Sequence, residues 1–308
     1  MFMPVIHSIA EYIEILKDFR RDGFGGRDAK DCAYYFRGEP ADYGESSGTP
    51  NIGRNGRLEK ETEIFRECER RLPADFAQCH STFEKLVLMQ HYRVPTRLLD
   101  ISLDPLQALF FALFHDVRSC NERDDCDAVI LAYEVPKHEI KDYHSDAVSV
   151  VSNIALYSSQ KGALDISQFP DDERDRKDLN EYWEICHLRH EIQAEKSYFE
   201  DCIVKKDMES VFCVHPLLDN PRIRAQQGAF LLFGIDGNRK KLATLESSRN
   251  THIKMKKIFV AESAKPEMRE ELAALGKTID TVYPDWDGVS DYFARFWNKE
   301  PRNYFKQE

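Results

Sequence analysis

Between Gln90 and Leu113 the chain reads QHYRVPTRLLDISLDPLQALFFAL, which gathers Gln90, His91, Tyr92, Thr96, Arg97, Asp100 and Ser102 between strongly apolar segments. Polar groups carried to the junction of buried elements must bond one another or a ligand. One reading is internal: Arg97 pairs with Asp100 or Asp104 and fixes a tight turn. The other is a ligand cleft, and two further segments favour it. YYFRGE places Arg37 and Glu39 on either side of Gly38. A guanidinium there offers the planar, bidentate fork that suits phosphate. RIRAQQGAFLLF sets Arg222, Arg224, Gln226 and Gln227 before an apolar run, with Gly228 allowing close backbone approach. We therefore expect Arg37, His91, Arg97, Asp100 and Gln227 to converge on one cleft.

Other chemistries find little support. The sequence has no GxxxxGK[ST], no GxGxxG after a strand, no GxSxG and no HExxH. His187 and Glu191 share a helical face beside His190, but nothing nearby supplies a third ligand, so no metal is expected. Cys120 and Cys126 enclose a polar loop and are read as incidental.

The elements that must position these residues are legible in part. Ser8 with Glu11, and Ser81 with Glu84, are capping boxes that open helices, the second running over residues 81–92. Its apolar stripe, Phe83, Leu86 and Val87, places Gln90 where an apolar residue would be expected. Asp104 and Pro105 supply the N-cap and first-turn proline of a helix carrying Leu106, Leu109, Phe110, Leu113 and Phe114. Strands are expected at 33–36, 127–135, 211–214, 227–233 and 257–260, with a long polar loop over 39–57. Two helices should close the chain, one after Pro266 and one over 287–297. Residues 137–207 are charged, with a helix expected at 178–199, and read as an insertion over a core. Within it, 171–201 is expected to be peripheral and removable. Helices and strands mix without a βαβ rhythm, which predicts one α+β domain with a small, mostly antiparallel split sheet flanked by helices.

Composition bounds the class. The 308 residues carry 43 Lys+Arg against 54 Asp+Glu, a formal net charge of −11, with 42% hydrophobic and 31% charged residues. These values describe a globular chain and argue against a broad nucleic-acid surface, although a local basic groove is compatible with them. The longest apolar run, 108–114, is too short for a membrane span, and the first fifteen residues do not read as a secretory leader. Eight scattered cysteines without a CxxC pair suggest reduced, mostly buried thiols, hence a cytoplasmic protein without a membrane partner.

The ordered motifs YFRGE (35–39), QHY with PTRLLD (90–100), DPLQALFFA (104–112), RIRAQQGAF (222–230) and YPDWDGVSDYF (283–293) resemble the FRG domain family, which takes its name from the triplet seen here as Phe36-Arg37-Gly38. The resemblance covers nearly the whole chain and implies a single FRG-type domain over 1–308, with a motif core at about 31–135 and 211–300 and the charged insertion at about 137–207. Three positions depart from the family pattern: Arg93 for the usual Gly, Ile101-Ser102 for Trp-Thr, and Phe110 for Tyr. Such domains occur in bacterial and phage proteins, some linked to defence, which implies a role in such conflict. A more distant similarity is to ADP-ribosyltransferases, and it implies their architecture and NAD as substrate. Arg37, Asp100 and Gln227 would then be catalytic. Glu39, Gln90, His91, Tyr92, Thr96, Arg97, Ser102, Arg224 and Gln226 would bind the nucleotide, with Arg37 on ribose or pyrophosphate and Tyr92 stacked on nicotinamide. The late motif carries Gln226 and Gln227 where a transferase has Glu, which leaves Asp100 to stabilise a developing cation. A protein or nucleic-acid acceptor is left open. The alternative is a noncatalytic sensor or interaction module that recognises a nucleotide or a phage component.

Overall fold

The apolar runs become strands in the computed structural model, which describes residues 4–25, 28–114, 125–158, 164–169, 176–200 and 202–286, with Val289, Ser290 and Phe293. The strands are β1 (Val5–Ile6), β2 (Cys32–Glu39), β3 (Leu98–Ser102), β4 (Ala128–Pro136), β5 (Lys141–Asp142), β6 (Val211–His215), β7 (Gly228–Phe233), β8 (Ile235–Asp236), β9 (Asn238–Leu242) and β10 (Lys254–Val260). Eight of them form one sheet in the order β1-β10-β4-β2-β3-β7-β6-β5, and β8 pairs with β9 separately. Within the large sheet only the edge pairs β1–β10 and β5–β6 are parallel. The expected α+β class and the mostly antiparallel pairing are present; the sheet is larger than the small one expected.

The sheet is also split, and the split positions everything that follows. β2 pairs with β4 from Cys32↔Pro136 to Glu39↔Val129, and β3 pairs with β7 from Leu98↔Leu232 to Ser102↔Gly228. Between β2 and β3 the ladder holds a single residue pair, Phe36↔Ser102. On one face, the helix Pro105–Leu113 packs Ala108, Leu109 and Ala112 against Phe36, Ile130 and Ala132. On the same face beyond the split, the helix Thr82–His91 packs Phe83 and Leu86 against Leu98, Phe230 and Leu232. The opposite face buries Tyr35, Leu99, Ile101, Leu131 and Leu231. The period-two alternation of each strand assigns these faces.

The expected caps form. Ser8 and Ser81 accept the backbone N–H groups of Glu11 and Glu84, and Asp104 accepts those of Leu106 and Gln107. The region at 137–207 departs from its reading. Its helix is interrupted at Tyr182 into Arg176–Glu181 and Trp183–Glu195. Ile185, Leu188, Ile192 and Phe199 are buried with Val150, Ile154, Ile203 and Ile235 in a hydrophobic cluster of their own. Glu195 also accepts from the backbone of Thr82 at 2.6 Å. The described part of 171–201 is thus integral, because Leu179, Ile185, Leu188, Ile192 and Phe199 share one core, while Trp183 and Tyr198 stay exposed. Of the closing helix at 287–297, only Val289, Ser290 and Phe293 are described, and Cys120 lies outside the described residues. Of the described cysteines, Cys32 and Cys213 are buried and the others half-buried. No helix among the described residues is long and apolar enough to cross a membrane.

Gly38 sets how closely the helix Pro105–Leu113 approaches β2. A Cβ there would overlap the carbonyl oxygen of Ala108 and lie 2.5 Å from the backbone nitrogen of Ala112. At Gly228, in contrast, it would meet Ile223 at an ordinary 3.5 Å. Backbone contacts cannot rotate away, so Gly38→Ala should cost about 3 kcal/mol, the upper range for overpacking, whereas Gly228→Ala should stay within about 1 kcal/mol. Urea melts of the two variants check this; equal costs would contradict it.

Candidate functional site

The split opens into a cleft of about 520 Å³ on the face shared by the helices Thr82–His91 and Pro105–Leu113. The loop after β2, expected to be irregular, runs through short 3-10 turns at Gly44–Ser46, Asn51–Gly53 and Arg57–Lys60 and contributes Thr49, Asn51 and Arg54 to the wall. Glu39 anchors that loop by accepting the Gly48 N–H at 3.1 Å.

Arg37 alternates away from Phe36 and Gly38, yet its guanidinium reaches across the gap between β2 and β3. Its Nη1 donates to the backbone oxygen of Asp100 at 3.0 Å and lies 3.8 Å from Asp100 Oδ2, while its Nε donates to Glu39 Oε1 at 3.3 Å. A side chain thus makes a cross-strand bond where the backbone ladder has ended. The Asp100 carboxylate is half exposed, at 53%. Gln90 Nε2 donates to its Oδ2 at 2.7 Å, and Thr96 Oγ1 donates to Gln90 Oε1 at 2.7 Å. The amide in the apolar stripe is therefore there to orient Asp100. Behind Arg37, burial pushes the Tyr133 phenol well above its usual range, with Arg37 opposing and Glu39 reinforcing the shift.

Of the residues expected to converge, Arg37, His91 and Asp100 line the cleft, as do Gln90, Ser102 and Gln226. Ser102 is spent internally, donating to the Gln226 oxygen at 2.6 Å, and Gln226 Nε2 donates to Val282 O at 3.1 Å. Thr96 and Glu39 are buried behind the wall and act through Gln90 and Arg37. Tyr92 is 61% exposed and, like Arg224 and Gln227, does not line the cleft. Gln227 instead takes a left-handed φ of 45° at the turn into β7.

Arg97 is corrected most clearly. It is fully buried and pairs with neither Asp100 nor Asp104. Its Nε donates to Glu61 Oε1 at 2.9 Å, its Nη2 to Glu61 Oε2, and its Nη1 to Phe233 O at 2.9 Å. Glu61 is remote in sequence and opens a helix, Glu61–Arg71, that no periodicity announced. Asp104 is occupied by its cap and by Lys277. In the charged helix, His187 packs edge-on against Trp183 and Glu191 lies near Arg66; no trio of metal-ligating side chains occurs among the described residues.

Several cleft residues escaped the sequence reading. Arg54, Asn51, Phe111, Phe114 and Tyr283 all line it; Arg222, expected at the cleft with the segment before β7, lines it too. The tyrosine of YPDW and the first arginine of RIRAQQG carried a signal, because both sit within the ordered motifs. Arg93 also lines the cleft and adopts a φ of 62° just after the helix Thr82–His91. Its N–H bonds Gln90 O and that of Val94 bonds Met89 O, which closes the helix end. A left-handed residue here favours glycine, the residue that the resemblance implies at this position.

The charge of this lining is distinctive. Among the described lining residues, Arg37, Arg54, Arg93 and Arg222 stand against a single carboxylate, Asp100, in a chain of net charge −11. Residues 32–120, which include β2, β3 and both helices beside the split, match the family profile of the FRG domain, so the chain carries an FRG domain. Neither the curated proteins nor the solved structures offer a match.

Glu61, which holds Arg97, and Asp100, which faces the cleft, are separable by stability. Glu61→Gln leaves a buried guanidinium without its counter-charge and should cost about 3–5 kcal/mol. Asp100→Asn removes a solvent-screened charge and should cost less than about 1 kcal/mol. Paired denaturant melts measure both; a larger loss at Asp100 would reverse the assignment.

Proposed function

We propose that the cleft binds an anionic nucleotide, with NAD the first substrate to consider, and that Asp100 beside Arg37 marks its reacting position. The observation that carries this reading is the excess of arginine in a cleft of an otherwise acidic chain. Guanidinium groups are matched to pyrophosphate by geometry as well as charge. Arg37 is oriented for this by Glu39 and by the Asp100 backbone, so little is lost in ordering it on binding.

In an ADP-ribosyl-type step, the C1′–N bond of NAD breaks and its electron pair leaves with nicotinamide. A water or an acceptor nucleophile then bonds C1′ and gives up a proton. A fixed carboxylate facing the ribose stabilises the positive charge that develops there. Gln226 and Gln227 offer no carboxylate, and Asp100 is the one acidic side chain among the described lining residues, so that role falls to it. One observation favours binding without turnover instead. Asp100 already accepts Gln90 and lies beside Arg37, which suits a sensor that recognises a nucleotide and leaves it intact.

Titration calorimetry with NAD, and nicotinamide release, separate these readings. Arg37→Ala should weaken NAD binding about 10- to 100-fold, the loss of one charge-assisted contact worth about 1.5–3 kcal/mol. Asp100→Ala should retain binding and abolish release. Binding by the wild type without release would select the sensor; absence of NAD binding would contradict the proposal.

A further inference from the structure

The cleft is chemically divided along β3. At about 3.3 Å per residue, Leu98 and Ser102 lie about 13 Å apart. The Leu98 end carries the polar side chains, set beside Val87, Val94 and Leu98. The backbone N–H of Ile52 bonds Thr96 O at 3.3 Å, which brings the loop carrying Asn51 and Arg54 to that end, and Gln90 and Arg37 follow towards the middle. The Ser102 end is aromatic. There Ser102 pairs with Phe36 and bonds Gln226, whose amide bonds Val282 next to Tyr283. Tyr283 meets Phe111 edge-on with centroids 6.2 Å apart, and the Arg222 guanidinium lies over the Tyr283 ring at 4.4 Å. All three line the cleft.

We infer that this aromatic end is a base-recognition subsite, so that the ligand is a phosphorylated nucleoside and not an inorganic or sugar phosphate. The inference rests on the nucleotide reading above and assigns the ends of that ligand: phosphates towards Arg37 and Arg54, the base against Tyr283 and Arg222. Aromatic rings and guanidinium planes both stack on a base face, and a cation held over a ring is already oriented to do so. A bare phosphate would use only the polar end and leave the aromatic end without a role. Tyr92, the residue expected to stack on nicotinamide, is exposed and does not line the cleft, so Tyr283 is the tyrosine available to a base there.

Titration calorimetry with ADP, NAD and inorganic pyrophosphate tests the inference on the wild type, Tyr283→Leu and Tyr283→Phe, with thermal melts confirming that each variant is folded. Tyr283 is half-buried, so either substitution is compatible with folding. The wild type should bind ADP or NAD at least about tenfold more tightly than pyrophosphate. Tyr283→Leu should remove that advantage while leaving pyrophosphate affinity unchanged, and Tyr283→Phe should keep it. Equal affinity of the wild type for ADP and pyrophosphate, or an equal loss of both in Tyr283→Leu, would overturn the subsite while leaving phosphate binding standing. Failure of every probe to bind would remove the nucleotide reading, and this inference with it.

Discussion

A sheet whose two halves share one residue pair must either be braced or come apart, and here the brace is a side chain. β2 and β3 meet at Phe36↔Ser102, and beyond that point Arg37 bonds the Asp100 oxygen where a backbone donor would otherwise stand. The three residues of the family triplet then have three separate duties. Phe36 buries its ring beneath the helix Pro105–Leu113, Arg37 spans the gap, and Gly38 lets that helix approach the strand without a Cβ in the way. The same gap that needs bracing is the floor of the cleft, so the residue that holds the sheet also lines the cleft.

The wall on the other side is held by a more deeply buried charge. Arg97, within the family motif PTRLLD, is not available to a ligand; it ties β3 to Glu61 and to the end of β7. Its neighbour Thr96 holds Gln90, and Gln90 holds Asp100. One short segment therefore carries a fully buried cation facing the interior and a half-exposed carboxylate facing the cleft, three residues apart. Burial decides which is which. A fully enclosed guanidinium requires a counter-charge in the folded state, while a half-exposed carboxylate can exchange its partners for a ligand.

The sequence was most readable where the signal was local. The capping serines at 8 and 81, the Asp104–Pro105 start and the all-buried run of β4 each follow from neighbouring residues. So did Arg37, His91 and Asp100 as cleft residues, polar groups set beside strongly apolar segments. What could not be read depends on distant partners. Glu61 meets Arg97 across 36 residues, and Tyr283 meets Arg222 across the domain, with no periodicity linking either pair. The charged region at 137–207 misled because its buried residues are sparse: Ile185, Leu188 and Ile192 supply a core only when joined by Val150, Ile154 and Ile235. Arg93 and Gln227 hold left-handed conformations normally left to glycine, so residue type alone concealed both turns.

The central claim is that the gap between β2 and β3 is an anion-binding site organised by Arg37. Diffraction from crystals grown with saturating NAD tests it most directly. The account predicts density in the cleft between the helices Thr82–His91 and Pro105–Leu113, with pyrophosphate oxygens within hydrogen-bonding distance of the Arg37 guanidinium. NAD bound elsewhere, or bound in the cleft with its phosphates turned away from Arg37, would contradict it.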